Sequence, residues 1–255
     1  MKGVSFESMK KANAIVGDLL AVIGDEIVVG KTTAELDVWA ESFIRDHGAE
    51  PAFKGMYGFP ATLCISINSE IIHGIPSAMR RIADGDIVSI DVGARVKGCY
   101  GDAARTYPVG NVSESHLKLL TVTKESLVRG IAHARVGNHT GDIGHAIQDF
   151  VEKHGYNVIR DFVGHGIGRD LHAFPEVPNF GRPKSGPVLQ EGMYLAIEPM
   201  VVTGSWRIKI LEDEWTAVTL DGGYAAHFED TVYISKDGPI ILTECAHKGD
   251  YGKKQ

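Results

Sequence analysis

The octapeptide Asp84-Gly85-Asp86-Ile87-Val88-Ser89-Ile90-Asp91 returns 107 residues later as Glu191-Gly192-Met193-Tyr194-Leu195-Ala196-Ile197-Glu198. Each copy opens on an acid and a glycine, runs through apolar positions that suit a buried strand, and closes on a second acid. The same offset takes Gly30-Lys31-Thr32-Thr33 onto Gly137-Asn138-His139-Thr140, Phe43 onto Phe150, and His47-Gly48 onto His154-Gly155. A register held from Gly30 to Glu198 points to a chain of two similar halves. Two buried strands that each end in an acid suggest a pseudo-symmetric sheet with acids meeting at its centre. Acids that meet in an interior must share a proton or bind a cation.

Upstream of the first acid strand, Ile15, Leu19, Ile23 and Ile27 recur every four positions, one face of a helix over residues 6–29, with Gly30 as its stop. A second helix over 33–46 carries Leu36, Trp39, Ala40 and Phe43 on one face, with Thr32 or Thr33 as its cap and Gly48 closing it. The second half repeats the pair over 114–134 and 140–153, where Gly137 and Gly155 are the matching stops. Strands are expected at 64–68, 87–96, 99–109, 156–163, 193–201, 215–219 and 225–235, and Pro178, Pro183 and Pro187 mark an irregular loop. The fold class is α+β: a curved, mainly antiparallel sheet covered by two pairs of helices. The expected organisation is one catalytic domain over 1–255, its repeat units at approximately 6–110 and 114–240.

A chain of 255 residues can bury a large core. The net charge of −7, with no run of Lys or Arg, argues against nucleic-acid binding. Cys64, Cys99 and Cys245 are far apart and form no CxxC pair, which reads as reduced thiols in a cytoplasmic protein. The N-terminus shows no signal peptide. The most apolar stretch, 15–29, is interrupted by Asp18, Asp25 and Glu26 and does not span a membrane.

If Lys97-Gly98 is a two-residue hairpin turn, Asp102 faces Gly93, and Asp91 points to the same side as both. The two carboxylates are then diagonal neighbours, roughly 5–8 Å apart. One reading is a pair of solvated acids on an exposed hairpin. Ile87, Val88, Ile90 and Val92, which make the strand look buried on both faces, weigh against it. In the second half, Glu198 precedes Pro199, and His227-Phe228-Glu229-Asp230-Thr231-Val232-Tyr233 resembles Asp102-Ala103-Ala104-Arg105-Thr106-Tyr107 at an offset of 127. The extra residues place an insertion at Thr203–Trp215. Asp91, Asp102, Glu198 and Glu229 would then face one cleft.

His165 lies in Gly164-His165-Gly166-Ile167-Gly168, where no Lys-Ser/Thr follows and the glycine spacing is wrong for a phosphate loop. A lone histidine is ordinarily a core or surface residue, but here the glycines let backbone crowd a site. His172 lies seven residues on, and no ligand geometry follows from that spacing. His73 sits in a turn between strands, within Ile72-His73-Gly74-Ile75-Pro76. His47, His116, His133, His139, His145, His154 and His247 read as structural or solvated. Four carboxylates with one imidazole suit Mn²⁺, Fe²⁺ or Co²⁺ better than Ca²⁺ or than Zn²⁺ alone. They are many for one catalytic ion and suit two ions bridged by shared carboxylates, which lower the pKa of a bridging water.

The order Asp91, Asp102, His165, Glu198, Glu229, in the settings Cys64-Ile65-Ser66-Ile67-Asn68, His73-Gly74-Ile75-Pro76, Gly164-His165-Gly166-Ile167-Gly168 and Ile197-Glu198-Pro199, resembles the type I methionine aminopeptidases in their bacterial short form. The resemblance covers essentially the whole chain and implies the pita-bread fold of the M24 metallopeptidases. It implies two divalent ions (Mn, Fe or Co, with Zn as a further option). Asp91 and Asp102 would hold the first, Asp102 and Glu229 would bridge, and His165 and Glu198 would complete the second. It also implies that a bridging hydroxide attacks the scissile amide, that Glu198 carries the proton, and that His73 and His172 face the substrate and stabilise the oxyanion. Phe59, Cys64 and Trp215 match the pocket for the methionine side chain, and core packing is the alternative for all three. The implied reaction removes N-terminal methionine from nascent chains when the second residue is small, by a cytoplasmic monomer. Transient ribosome association follows from the reaction alone, with no basic tail to support it. His227 stands where the family often has Gln, Asp230 where it often has His or Asn, and Phe53 and Met56 fall at variable pocket positions. The chain is expected to be a bare catalytic domain, without the N-terminal extension or the helical insert of the type II enzymes. Two other readings stand beside this one: a sister hydrolase cleaving X-Pro bonds, which usually carries a long N-terminal domain, and a peptide-binding module, which typically loses ligands.

Overall fold

The computed structural model describes residues 4–244, so Cys245 and His247 lie outside the described residues. Helix α1 (Phe6–Ile23) starts at Ser5, whose hydroxyl accepts the Ser8 N–H, and buries Ile15, Val16, Leu19, Leu20 and Ile23. It stops at Ile23 rather than running to 29. Gly24, a poor helix former, opens a tighter turn over Gly24–Glu26, and Ile27 reaches the core from beyond that turn. Helix α2 (Thr33–Asp46) is capped by Thr32 in a reciprocal box with Glu35: the Thr32 N–H donates to Glu35 Oε2 at 2.7 Å and the Glu35 N–H to Thr32 Oγ1 at 3.2 Å. The second pair follows as α3 (Glu114–His133) and α4 (Thr140–Lys153). At the matching position the His139 N–H donates to Asp142 at 2.7 Å.

The main sheet has nine strands, and its centre displays the duplication. In spatial order the four central strands are Ile87–Val96, Cys99–Pro108, Glu229–Ser235 and Tyr194–Ile197, all antiparallel. The strand that carries Asp91 and its repeat, which stops just before Glu198, are the outer members, and the Asp102 and Glu229 strands are the inner ones. A pseudo-two-fold axis therefore passes between the inner pair. Beyond them lie Leu63–Ile67 and Glu50–Pro51 on the first-half side, and Gly164–Gly166 and Ala173–Val177 on the other, with Gly238–Ile241 added to the Glu229 strand. One apolar core lies between α1, α2 and the first-half strands, and a second between α3, α4 and the second-half strands. Each fully buried Leu, Ile or Val in them contributes on the order of 1.5–3 kcal/mol. This is the duplicated pita-bread arrangement.

Several strands differ from expectation. Only Asn157–Val158 of 156–163 is strand, and it joins Met200–Val202 and Ala225–His227 in a separate three-stranded sheet. The stretch 193–201 breaks at Glu198-Pro199, because proline offers no N–H to a ladder, and the chain passes into that second sheet. The stretch 225–235 likewise breaks at Phe228. The insertion is not a plain loop: Ile208–Ile210 pairs with Ala217–Thr219, which pairs with Glu70–Ile72 of the first half. Among the described residues no helix is long and apolar enough to cross a membrane.

Candidate metal centre

Lys97 and Gly98 both take positive φ, 49° and 75°, the twist that a two-residue hairpin requires. The turn sets the register, so that Gly93 faces Asp102 and Asp91 faces Ala104. Ala104 in turn faces Glu229 across the pseudo-axis. Ile197 faces Asp230, which brings the following residue, Glu198, opposite Glu229. His165 faces Ala196, two residues from Glu198 and therefore on its side of the sheet. Strand alternation thus delivers Asp91, Asp102, His165, Glu198 and Glu229 to one face.

Ligand atoms of Asp102, His165 and Glu229 all lie within 4.8 Å of one another. His165 Nε2 is 3.8 Å from Asp102 Oδ2 and 3.6 Å from Glu198 Oε1. The other nitrogen of that ring lies 3.0 Å from the Gly166 carbonyl, an acceptor that keeps the proton on Nδ1 and leaves Nε2 free for the acids. The backbone of Asp102 is clamped on both sides, its N–H donating to Asn13 Oδ1 at 3.3 Å and its carbonyl accepting from Thr231 Oγ1 at 2.8 Å. Arg105 turns away from the acids, donating to the Glu229 carbonyl and pairing with Asp230 at 2.6 Å. The Glu198 carbonyl accepts from Asn179 at 2.9 Å.

Burial raises every carboxyl of the cluster. Asp91 is pushed up to about 7; Asp102 and Glu198 rise well above the usual range through burial and the negative charge of neighbouring acids, and so does Glu229. Oδ1 of Asp91, Oδ1 of Asp102 and Oε1 of Glu229 are shut off from solvent without a hydrogen-bond partner. Ionised carboxylate oxygens are acceptors only, and no Lys or Arg side chain reaches these three among the described residues. Such a set fits divalent cations: oxygen-rich, anionic, with a correctly oriented imidazole.

Two cavities meet at the acids. The smaller, about 80 Å³, is walled by Phe53, Met56, Tyr57, Phe59, Cys64 and Trp215 above the cluster. Phe59 and Trp215 meet edge to face with centroids 5.1 Å apart. The larger, about 780 Å³, is an open groove past Phe162 and Phe174. His73, His165, His172 and Glu198 line both, so they stand at the junction. Burial, with a contribution from His172, lowers His73 to about 4, and burial lowers His172 as well. His172 is held between His165, edge to face at 4.6 Å, and Tyr57, stacked at 6.0 Å.

The structure also brings in residues that the sequence reading had not placed at the site. Tyr57 is 74% exposed at the rim, in a left-handed backbone conformation. His227 is 1% exposed, its Nε2 3.9 Å from Glu198 and 4.0 Å from Glu229, and burial lowers it to about 3. Its signal was present: in an extended chain, position 227 shares a side with 229. His47 and His154, read as structural or solvated, are exposed and take equivalent local roles, each ring nitrogen contacting the carbonyl four residues earlier, at 2.7 and 2.8 Å.

A duplicated curved sheet that gathers buried acids and an imidazole beside an apolar pocket defines a metal-dependent hydrolase. The sequence model of metallopeptidase family M24 matches residues 7–236, and the chain belongs to that family. A curated relative from Clostridium perfringens, named methionine aminopeptidase, is 55% identical over 235 residues, 92% of this chain and 94% of its own. The crystal structure of methionine aminopeptidase from Thermotoga maritima is similar with a TM-score of 0.92 and 47% identity, covering 93% of this chain and 96% of that one. Prolidase from Pyrococcus furiosus is similar at a TM-score of 0.74 and 27% identity, with 94% of this chain matching 64% of that one.

Proposed function

We propose that this chain is a methionine aminopeptidase acting as a single catalytic domain, which removes the first methionine of nascent chains whose second residue is small. The observation that carries the reading is the junction. A small pocket with aromatic and sulfur-bearing walls lies beside the acid cluster and adjoins an open groove of about 780 Å³. Aromatic walls suit a thioether, whose sulfur–ring contacts are worth about 0.3–1.5 kcal/mol each. With the methionine side chain among Phe59, Cys64 and Trp215, the scissile amide falls at the junction, against His73, His172 and Glu198.

Asp91, Asp102, His165, Glu198 and Glu229 would hold two divalent ions, Asp102 and Glu229 serving both. When bound, such ions supply an activated water and a Lewis acid. We assign them as Mn²⁺, Fe²⁺ or Co²⁺, with Zn²⁺ accepted, because four carboxylates with few imidazoles favour the harder ions. His73 and His172, neutral by virtue of their lowered pKa, each keep one N–H to donate to the scissile amide and the developing oxyanion. Glu198, whose carboxyl is raised by burial and by Glu229, is suited to take up a proton and pass it to the leaving amine. The enzyme is assigned as a cytoplasmic monomer that meets its substrates at or near the ribosome.

The test is hydrolysis of Met-Ala-Ser beside Ala-Pro-Ala by chelator-stripped protein, with each metal added back. The expected result is methionine release only after metal addition. Cleavage of the X-Pro peptide alone would move the chain to the prolidase-like branch, and cleavage of neither would reject a peptidase role.

A further inference from the structure

Building on the two-ion reading, we propose that His227 is itself a ligand of the centre, its Nε2 joining Glu198 and Glu229 on the ion they share. The ring is 1% exposed and its Nε2 has no hydrogen-bond partner. Buried polar atoms are seldom left so, and one aimed at two carboxylates implies an occupant between them. Its spacing matches that of the histidine already assigned. His227 Nε2 lies 3.9 Å from Glu198 Oε2 and 4.0 Å from Glu229 Oε2, where His165 Nε2 lies 3.8 and 3.6 Å from its two acids. These separations are too long for direct hydrogen bonds. They lie within the about 4.2 Å that two ligand atoms on opposite sides of one ion span, given metal–ligand distances of about 2.0–2.2 Å.

The position is also held in place. The Thr106 hydroxyl donates to the His227 carbonyl at 2.8 Å and accepts the His227 N–H at 2.9 Å. Ser89 Oγ, 2.8 Å from the same hydroxyl, extends the anchor into the first-half hairpin. A second imidazole makes the ion between Glu198 and Glu229 the nitrogen-richer of the two, and so biases it toward Co²⁺ or Zn²⁺ over Mn²⁺.

The experiment uses full-length protein, stripped by chelation and reloaded with Zn²⁺, and reads the ring nitrogens of the histidines by ¹H–¹⁵N NMR. The His227 signals are assigned by their loss in His227→Gln, or by through-bond correlation in the unmodified protein if that variant does not fold. The expected result is a His227 Nε2 that moves to a metal-bound shift on loading. In parallel, calorimetry should show one of two Co²⁺ sites weakened at least about tenfold in His227→Gln, the other unchanged. A His227 Nε2 that stays protonated or unshifted in the loaded protein overturns the proposal, as does a folded variant with unaltered affinity at both sites. Unmodified protein that binds no ion would overturn the two-ion reading together with it.

Discussion

Asp102 is where the local forces of the site converge. Asn13 and Thr231 fix its backbone, burial together with Asp91 and Glu198 raises its carboxyl, and His165 faces it. The same residue was legible in the sequence because a two-residue turn dictates a register, and a register dictates which side chains share a face. Asp91, Asp102 and Glu198 follow from that alternation and the repeat. His227, two residues before Glu229, falls on the same side by that alternation as well, although the ladder is interrupted at Phe228. His172 was undetermined by spacing, and its place depends on the exposed segment beyond Leu171. It stands at the junction without being one of the assigned ligands. Replacing it with alanine should therefore lower kcat by about 10²–10⁴ while metal content stays unchanged. Loss of an ion from His172→Ala, measured by elemental analysis, would make it a ligand instead.

Helices and strands were not equally legible. Helix ends carry their own signals, and the Thr32–Glu35 box starts α2 at the position the sequence indicates. Thr32→Ala should lower unfolding free energy by about 1 kcal/mol with unchanged kcat, read from the urea midpoint; no shift would show that α2 is held by packing alone. Strands take their limits from partners far along the chain, which is why Gly164–Gly166 and Ala173–Val177 were unforeseen. Those strands run close. A Cβ on Gly166 would lie 2.2 Å from the Phe174 carbonyl oxygen. Gly166→Ala should accordingly displace the strand bearing His165 and weaken metal binding by tenfold or more, though no ligand is removed, since misplacement near 1 Å can cost about 10²-fold. Calorimetric titration with Mn²⁺ reads this, and an unaltered isotherm would show that the strand gives way without moving His165.

At the scale of the molecule, duplication places an acid-bearing strand from each half on either side of a shared axis, and the centre gathers more negative charge than the protein alone can balance. The sequence revealed the halves but not the route of the insertion, whose strand Ile208–Ile210 adds to a sheet completed by the first half. A carboxyl whose folded pKa is raised contributes stability that is complete below its unfolded value of about 4 and is lost as pH rises through the folded value. Asp91 loses its share by about 7, and Asp102, Glu198 and Glu229, raised well above the usual carboxyl range by burial and by one another, act in the same direction. The lowered histidines act oppositely, but their contribution is complete once pH exceeds about 6.5. The melting temperature of stripped protein should therefore fall as pH rises from about 6.5 through about 7, and added Mn²⁺ should reduce or reverse the fall; a flat profile for stripped protein would mean that the acids are not electrostatically frustrated.

The most direct measurement of the central claim is electron paramagnetic resonance of stripped protein during titration with Mn²⁺, set beside Asp102→Ala. Two ions sharing Asp102 and Glu229 predict the many-line spectrum of an exchange-coupled pair, absent from the variant together with turnover. Two isolated six-line centres, or an Asp102→Ala protein that keeps near-normal activity, would contradict a shared two-ion site.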